Sequence, residues 1–507
     1  MQHYARVGSM MYRSYHVITR KSMSTSSRAT DSLLRVYLHD ALYSAEHGYL
    51  WNHVQKSLKK GPDGSPVPRP MINFGDLGSK WEYQKSIDDV LKETGASWLS
   101  PFELYNPWYG HALGKYILES HVGPAGISSN ASGKGRAPRP DSPPPLQIFE
   151  LGGGSGTVAS NVLDYLKQVA PDVYATTTYT IINPRQDLLA SQVSMVHLHH
   201  DEERIQHLVL DFANPDASGG DALASQDCFV IGLDLFDNLP RDKVKRNAEG
   251  ELLAAVVHAE DDTSPPTERF CIDSAKDDLI ATTMRFVDYH HDLDKHGDTI
   301  HARQTASDEA LDIVPFDATR ADLLTSIMSV LTPGAKKGIN FSRGGVLRDG
   351  KPSFIPTGAV ALFQHLKQLF PKHRLLASGF DHLPASTASL SAELKNVENA
   401  PLVSHSTGGD LGSYLLDPQK ELGLTDIFFA SDFALLQKVY QNVMTAEEQG
   451  EKKSVPHESR RTLALRSAEF ATEHADIRQT ALMNHNNYNP ILEDFGNIQL
   501  LLGETQR

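Results

Sequence analysis

The stretch QIFELGGGSGTVASNVLDYL, residues 147–166, constrains the fold of this chain more than any other. A short apolar run ends at Leu151, and four glycines and a serine fill positions 152–156. Apolar residues then recur at Val158, Ala159, Val162, Leu163 and Leu166. The first part reads as a buried strand and the last as a helix of period 3.6. A glycine-rich turn between them lets the backbone approach a ligand at the carboxyl edge of a sheet. The pattern continues downstream. Short β-rich runs at 174–182, 207–212 and 228–236 alternate with helical periods at 157–170 and 185–194. Buried strands alternating with helices predict an α/β fold built on a doubly wound parallel sheet.

The spacing within the loop discriminates between ligands. A dinucleotide fingerprint would place its third glycine at 157, where Thr157 stands, and the Gly-Lys-Ser/Thr of a P-loop is absent. An acid-x-Gly-x-Gly-x-Gly pattern does fit, through Glu150, Gly152, Gly154 and Gly156. This pattern resembles the loop of class I methyltransferases, whose ligand is S-adenosyl-L-methionine. Glu150 is expected to receive the methionyl ammonium, while the glycines make room for the sulfonium and ribose. The second strand ends at Asn183, where an acid normally holds the ribose hydroxyls; an amide offers them weaker bonds. Asp211, after the third strand, suits an adenine amino group and suits a turn cap equally well.

Composition narrows the class further. The formal net charge is -15, a field that repels nucleic-acid phosphates, so no nucleic-acid partner is expected. The two cysteines, Cys228 and Cys271, argue against a disulfide framework or thiolate zinc site. No apolar run approaches the ~20 residues of a membrane span. Histidine-rich stretches at 197–203 and 289–298 lack the helical i, i+4 pair of zinc proteases, and no metal site is expected. Residues 1–30 carry Arg6, Arg13, Arg20, Lys21 and Arg28, with six serines and no acid, which is the profile of a mitochondrial transit peptide.

The rest of the chain divides by composition. Residues 31–122 read as an N-terminal helical substrate or lid region, with a single helical period over 32–50 and an exposed loop at 56–70. Residues 123–145 read as a linker, 146–300 as the ligand-binding core, 301–445 as α/β completion with insertions, and 446–507 as a tail or helices.

Several motifs in order then resemble one family, the MidA-type methyltransferases, over most of residues 31–445. They are AEHGYL, LSPFELYNPWYGHALGKYIL, IFELGGGSGT, YTIINPRQDLLASQ, GLDLFDNLPRDKV, PTGAVALFQHLKQLFPKHRLLASGFDHLP and DIFFASDF. The resemblance implies a class I, Rossmann-like methyltransferase sheet with S-adenosyl-L-methionine as donor. It further implies symmetric dimethylation of a protein arginine, on a subunit of respiratory complex I in the mitochondrial matrix. Two departures stand out: Asn183 occupies the place of the family's ribose-binding Glu, and FGDLG (74–78) lies well upstream of SPFE.

Methylating an arginine requires a guanidinium held in line with the donor methyl, a task carboxylates perform through paired hydrogen bonds. The fourth strand ends in LDLFDNLP, so Asp234 and Asp237 are the candidate grips, with Asn238 nearby; Asp237 also fits a turn cap. Glu103 and His111 are expected to close over the site. Tyr105, Trp108 and Tyr109 form either an aromatic wall or core. A non-catalytic assembly factor that keeps the fold is the rival reading, favoured by Asn183. A nicotinamide oxidoreductase is disfavoured by Thr157 and by the missing acid at 183.

Overall fold

The computed structural model describes residues 30–44, 46–58, 67, 70–94, 99–123, 144–214, 221–261, 263–295, 350–383, 394, 396–406, 411–445, 460–483 and 488–505. Seven strands make the main sheet: β1 Gln147–Leu151, β2 Thr178–Asn183, β3 Ile205–Val209, β4 Cys228–Gly232, β5 His373–Phe380, β6 Arg460–Arg466 and β7 Ile498–Thr505. Their spatial order is β6-β7-β5-β4-β1-β2-β3. Strands β1 to β5 run parallel, and β7 alone is reversed, antiparallel to both β5 and β6. The order reverses at β1, so a crevice opens beyond the carboxyl ends of β1 and β4. The expected doubly wound, Rossmann-like methyltransferase sheet is present.

Among the described helices are α1 Leu34–Tyr43, α2 Tyr49–Ser57, α3 Lys80–Thr94, α4 Pro101–Leu104, α5 Trp108–Val122, α6 Thr157–Val169, α7 Gln186–Val196, α8 Asp278–Lys295, α9 Thr357–Leu369, α10 Phe433–Thr445 and α11 Ser467–His474. One face of the sheet, through Ile148, Tyr179, Ile231 and Leu376, packs against α3, α5, α6 and α11. The other, through Val230, Leu375 and Ala377, packs against α9, α10 and α1. The apolar stripe of α6 is wholly buried, as its spacing requires. Helix α5 approaches α6 so closely at Gly110 that an added Cβ would lie 2.4 Å from the Asn161 Cβ.

A second, antiparallel sheet joins Thr30–Leu33, Leu252–Ala259, Asp242–Arg246 and Ser353–Ile355 in that order, with Thr267–Cys271 also on the 252–259 strand. Three expectations change. The period over 32–50 does not form one helix: Asp31 and Ser32 pair with His258 and Val257, so tertiary pairing overrides local propensity before α1 begins. Run 174–182 starts its strand only at Thr178, because Pro171–Tyr174 forms a helical turn. Residues 446–507 supply β6 and β7, strands that complete the sheet. Of the transit-peptide profile over 1–30, residues 1–29 lie outside the described residues, as do most of both loop stretches, 56–70 and 123–145.

Candidate functional site at the carboxyl edge of the sheet

The glycine loop is shaped by backbone that side chains disfavour. Gly152, Gly153, Gly154 and Gly156 have φ of 95°, 67°, 44° and 85°. A Cβ on Gly153 would lie 2.5 Å from Ile181 Cγ2, and one on Gly156 would lie 2.8 Å from the Gln192 carbonyl oxygen. Gly154 differs, since a Cβ there meets nothing within 4 Å. The loop is packed from behind and open at its apex, as a cradle must be.

What holds the cradle was not legible from the motif. Gln192 on α7, fully buried, donates from Nε2 to the carbonyls of Gly152 (2.8 Å) and Gly154 (2.7 Å). Asn183, also fully buried, donates from Nδ2 to the Gly152 carbonyl at 3.0 Å and accepts from the Arg185 N–H at 2.9 Å. The amide expected to face the ribose therefore braces the first glycine. Glu150 sits deeper than expected as well. It is 3% exposed, and its Oε2 accepts from the Tyr179 hydroxyl at 2.9 Å. Burial pushes its carboxyl up to about 7, although the tyrosine bond pulls the other way.

The acidic side of the crevice is assembled from parts of the chain that are distant in sequence. Ser100 caps α4, its Oγ accepting from the Glu103 N–H at 3.3 Å. Glu103 then meets the loop, with Ser155 Oγ donating to its Oε1 at 3.2 Å. Across from it, Asp234 follows β4 with φ of 49°, a left-handed conformation in a residue other than glycine. Its N–H donates to Ser378 Oγ on β5 at 2.9 Å. Burial, and then the charge of Glu103, push the Asp234 carboxyl up to about 7. The structure thus brings Glu103, Asp234 and the loop together.

Asp237 does not join them, and the expectation of a direct guanidinium grip there is corrected. It is 1% exposed and its Oδ1 accepts the Phe380 N–H at 2.6 Å, tying the turn after β4 to the end of β5. Burial holds it well above the usual carboxylate range, and Asp234 adds to this. Asn238 likewise points into the protein, to Asp426 Oδ1 at 2.9 Å. Asp211 acts as a turn residue, its Oδ1 accepting the Ala213 N–H at 3.2 Å while Oδ2 lies 3.0 Å from His39 Nε2 on α1. His111 packs between Trp108 and Tyr165 in the α5–α6 contact instead of closing over the crevice, and desolvation lowers its pKa. Tyr105 and Tyr109 are core residues, hydrogen-bonded to the Pro490 carbonyl and Ser467 Oγ. Of the first histidine-rich stretch, His200 is buried against Tyr174 and the Ser160 carbonyl. Among the described residues no group of side chains has a metal-holding arrangement. The side chains of 289–298 lie outside the described residues.

Among the described residues, Asp234 Oδ1 at this edge is a buried oxygen with no hydrogen-bond partner. An unpartnered buried acceptor costs about 1–3 kcal/mol, so a ligand that brings donors to it is favoured. The ammonium, ribose hydroxyls and adenine amino group of S-adenosyl-L-methionine are such donors, and the loop has room for it at Gly154.

Residues 136–451 match the family model described as "Putative S-adenosyl-L-methionine-dependent methyltransferase", which spans more than half of the chain. The chain belongs to that methyltransferase family. Its methyl donor is S-adenosyl-L-methionine. No curated protein matches it. Among solved structures, it is similar to a Burkholderia thailandensis protein bound to S-adenosyl-homocysteine, at 13% identity over 94% of this chain and 88% of that one, with a TM-score of 0.48. A native structure from the same organism gives 12% identity, 94% and 87% coverage and a TM-score of 0.45. The CcbJ methyltransferase of Streptomyces caelestis gives 9%, 86% and 98%, with 0.30. The fold of this methyltransferase rests on its strand order, not on these likenesses.

Proposed function

We propose that the chain transfers methyl groups from S-adenosyl-L-methionine to a protein arginine, yielding symmetric dimethylarginine on a subunit of mitochondrial respiratory complex I. The observation that carries the reading is the acceptor-only wall beside the donor loop. Glu103 and Asp234 flank the crevice, and Asp234 has an unpartnered Oδ1. A planar cation with five N–H donors is the substrate such a wall suits. Support for the complex I partner and the matrix location comes from the MidA-type motifs and the basic, serine-rich residues 1–30.

A second reading, a methyltransferase fold retained as a non-catalytic assembly factor, is favoured by Asn183. Its two polar atoms serve the backbone, and no acid stands at the end of β2. Calorimetric titration of S-adenosyl-L-methionine, followed by mass analysis of arginine-rich peptides incubated with donor and protein, separates the two. Saturable binding with methylated arginine supports the enzyme. Binding without methyl transfer supports the assembly factor, and no binding at millimolar donor defeats the donor-loop reading altogether.

A further inference from the structure

Immediately beyond β5 the chain runs Asp381, His382, Leu383, and these two polar residues are held with unusual care. His382 Nδ1 lies 2.5 Å from Asp381 Oδ1. The other carboxylate oxygen accepts from Gln499 Nε2 on β7 at 2.6 Å and lies 3.7 Å from Arg466 Nη1 at the end of β6. The backbone is pinned as well: the Asp381 N–H donates to the Asn497 carbonyl at 2.8 Å, and Asn497 Nδ2 donates to the His382 carbonyl at 3.2 Å. Asp381 is 15% exposed, but the imidazole is 33% exposed. A fixed carboxylate at Nδ1 keeps the neutral ring's proton there and leaves the lone pair on the outer nitrogen, Nε2.

The position of the pair gives it a use. It continues the strand whose Ser378 receives the Asp234 N–H on Oγ and the Leu235 N–H on its carbonyl, and whose Phe380 N–H binds Asp237. The pair therefore shares the carboxyl edge with the acidic wall. Asn497, which donates to the His382 carbonyl, has a buried Oδ1 with no hydrogen-bond partner. We propose that His382 is the proton acceptor for the substrate nitrogen, with Asp381 and Gln499 as positioning residues that fix its tautomer. The proposal rests on the arginine reading above. The proton that the attacking guanidinium nitrogen sheds passes to Nε2, leaving an imidazolium stabilised by Asp381, as that nitrogen bonds the methyl carbon and the methyl carbon–sulfur bond breaks. That bond's electron pair stays on sulfur, giving a neutral thioether. The product is again a guanidinium, and the imidazolium returns its proton to water through its exposed edge.

Among the described residues, the charged groups held against the pair are Asp381 itself and Arg466, whose own N–H binds Glu469, while β7 presents the neutral Gln499 and, just before it, Asn497. Nitrogen-15 NMR of the full chain tests the tautomer directly, and a neutral His382 protonated at Nδ1 is expected. An Nε2-protonated ring overturns the proposal whatever the activity. The kinetic test uses His382→Gln and Asp381→Asn with S-adenosyl-L-methionine and arginine-rich peptides across ~pH 6–9. For His382→Gln, kcat should fall about 10²–10⁴-fold and the acid limb of the pH profile should vanish, with donor binding by calorimetry unchanged. Asp381→Asn should lower kcat less and keep the limb, displaced. Parental turnover in His382→Gln, or a retained acid limb, overturns the assignment alone. A parent chain that binds donor without methylating arginine overturns the arginine reading and this step with it. A parent that binds no donor removes both at their root.

Discussion

The second sheet and the carboxyl edge of the main sheet both bury charge, and they treat it in opposite ways. At the second sheet, Arg35 of α1 is 2% exposed and pairs with Asp242 at 2.9 Å and Asp277 at 2.8 Å. Lys243 beside it reaches Glu268 at 2.7 Å and the Tyr414 hydroxyl at 2.9 Å. Cation meets anion, and each of these charges is paired. At the carboxyl edge, Asp234 and Asp237 lie side by side, and Glu103 is near enough to act on Asp234, with orphaned oxygens among them. Among the described residues, the buried cation acting on Asp237 is Arg241, bonded to Ser431 Oγ and itself driven down to about 10 by burial. A closed network stabilises one arrangement of the chain, whereas an open one stores a demand for donors that a ligand meets.

The largest test of this contrast strikes the ligand side. Gly154→Arg fills the open apex and should abolish donor binding in calorimetry, while the melting temperature falls only by the modest strain of a side chain at φ 44°. Next comes the closed network. Arg35→Met strands Asp242 and should cost about 3–5 kcal/mol in denaturant unfolding without weakening donor affinity in the surviving folded fraction. If it cost nothing, the two regions would not differ as described. Gln192→Ala removes both bonds to the loop carbonyls and should cost about 1–3 kcal/mol, with a matching loss of donor affinity that Arg35→Met lacks.

The smallest effect is a slope with pH. Glu150 and Asp234 are raised to about 7 in the folded protein, so their stabilising contribution is complete below the unfolded carboxylate range near 4. It is lost as pH rises through about 7. The melting temperature should therefore fall between pH 5 and 8, and Asp234→Asn should flatten part of that fall. A donor-free chain that grows more stable over this interval would contradict the raised carboxyls.

The sheet was legible because its signals are local. The apolar run of β1, period 3.6 in α6 and glycines at 152, 154 and 156 are each visible within a few residues. The supports of the site are not local. Gln192 lies one strand and one helix away from the loop it clamps, and nothing in DLLASQ marks its last residue. Glu150 was expected to face the ligand because motif logic reads a strand end, but Tyr179 on the neighbouring strand takes its carboxyl, a cross-strand contact that only the register reveals. Asp237 could be read either way from LFDNLP, and the Phe380 N–H, far along the chain, decides it. Strands β6 and β7 escaped notice because RRTLALR and IQLLLGET lie far from the repeating strand–helix rhythm.

Those two strands are also made in an awkward order. β6 is synthesised before β7, yet β7 lies between it and the rest of the sheet. Residues 460–466 thus emerge from the ribosome as a strand whose sole neighbour in the sheet has not yet been translated. Until β7 slots in against β5, the outer strand has no edge to join and β5 has an open one. Nascent chains paused in this window expose two unpaired strand edges, and a chaperone that shields β structure has its natural moment there.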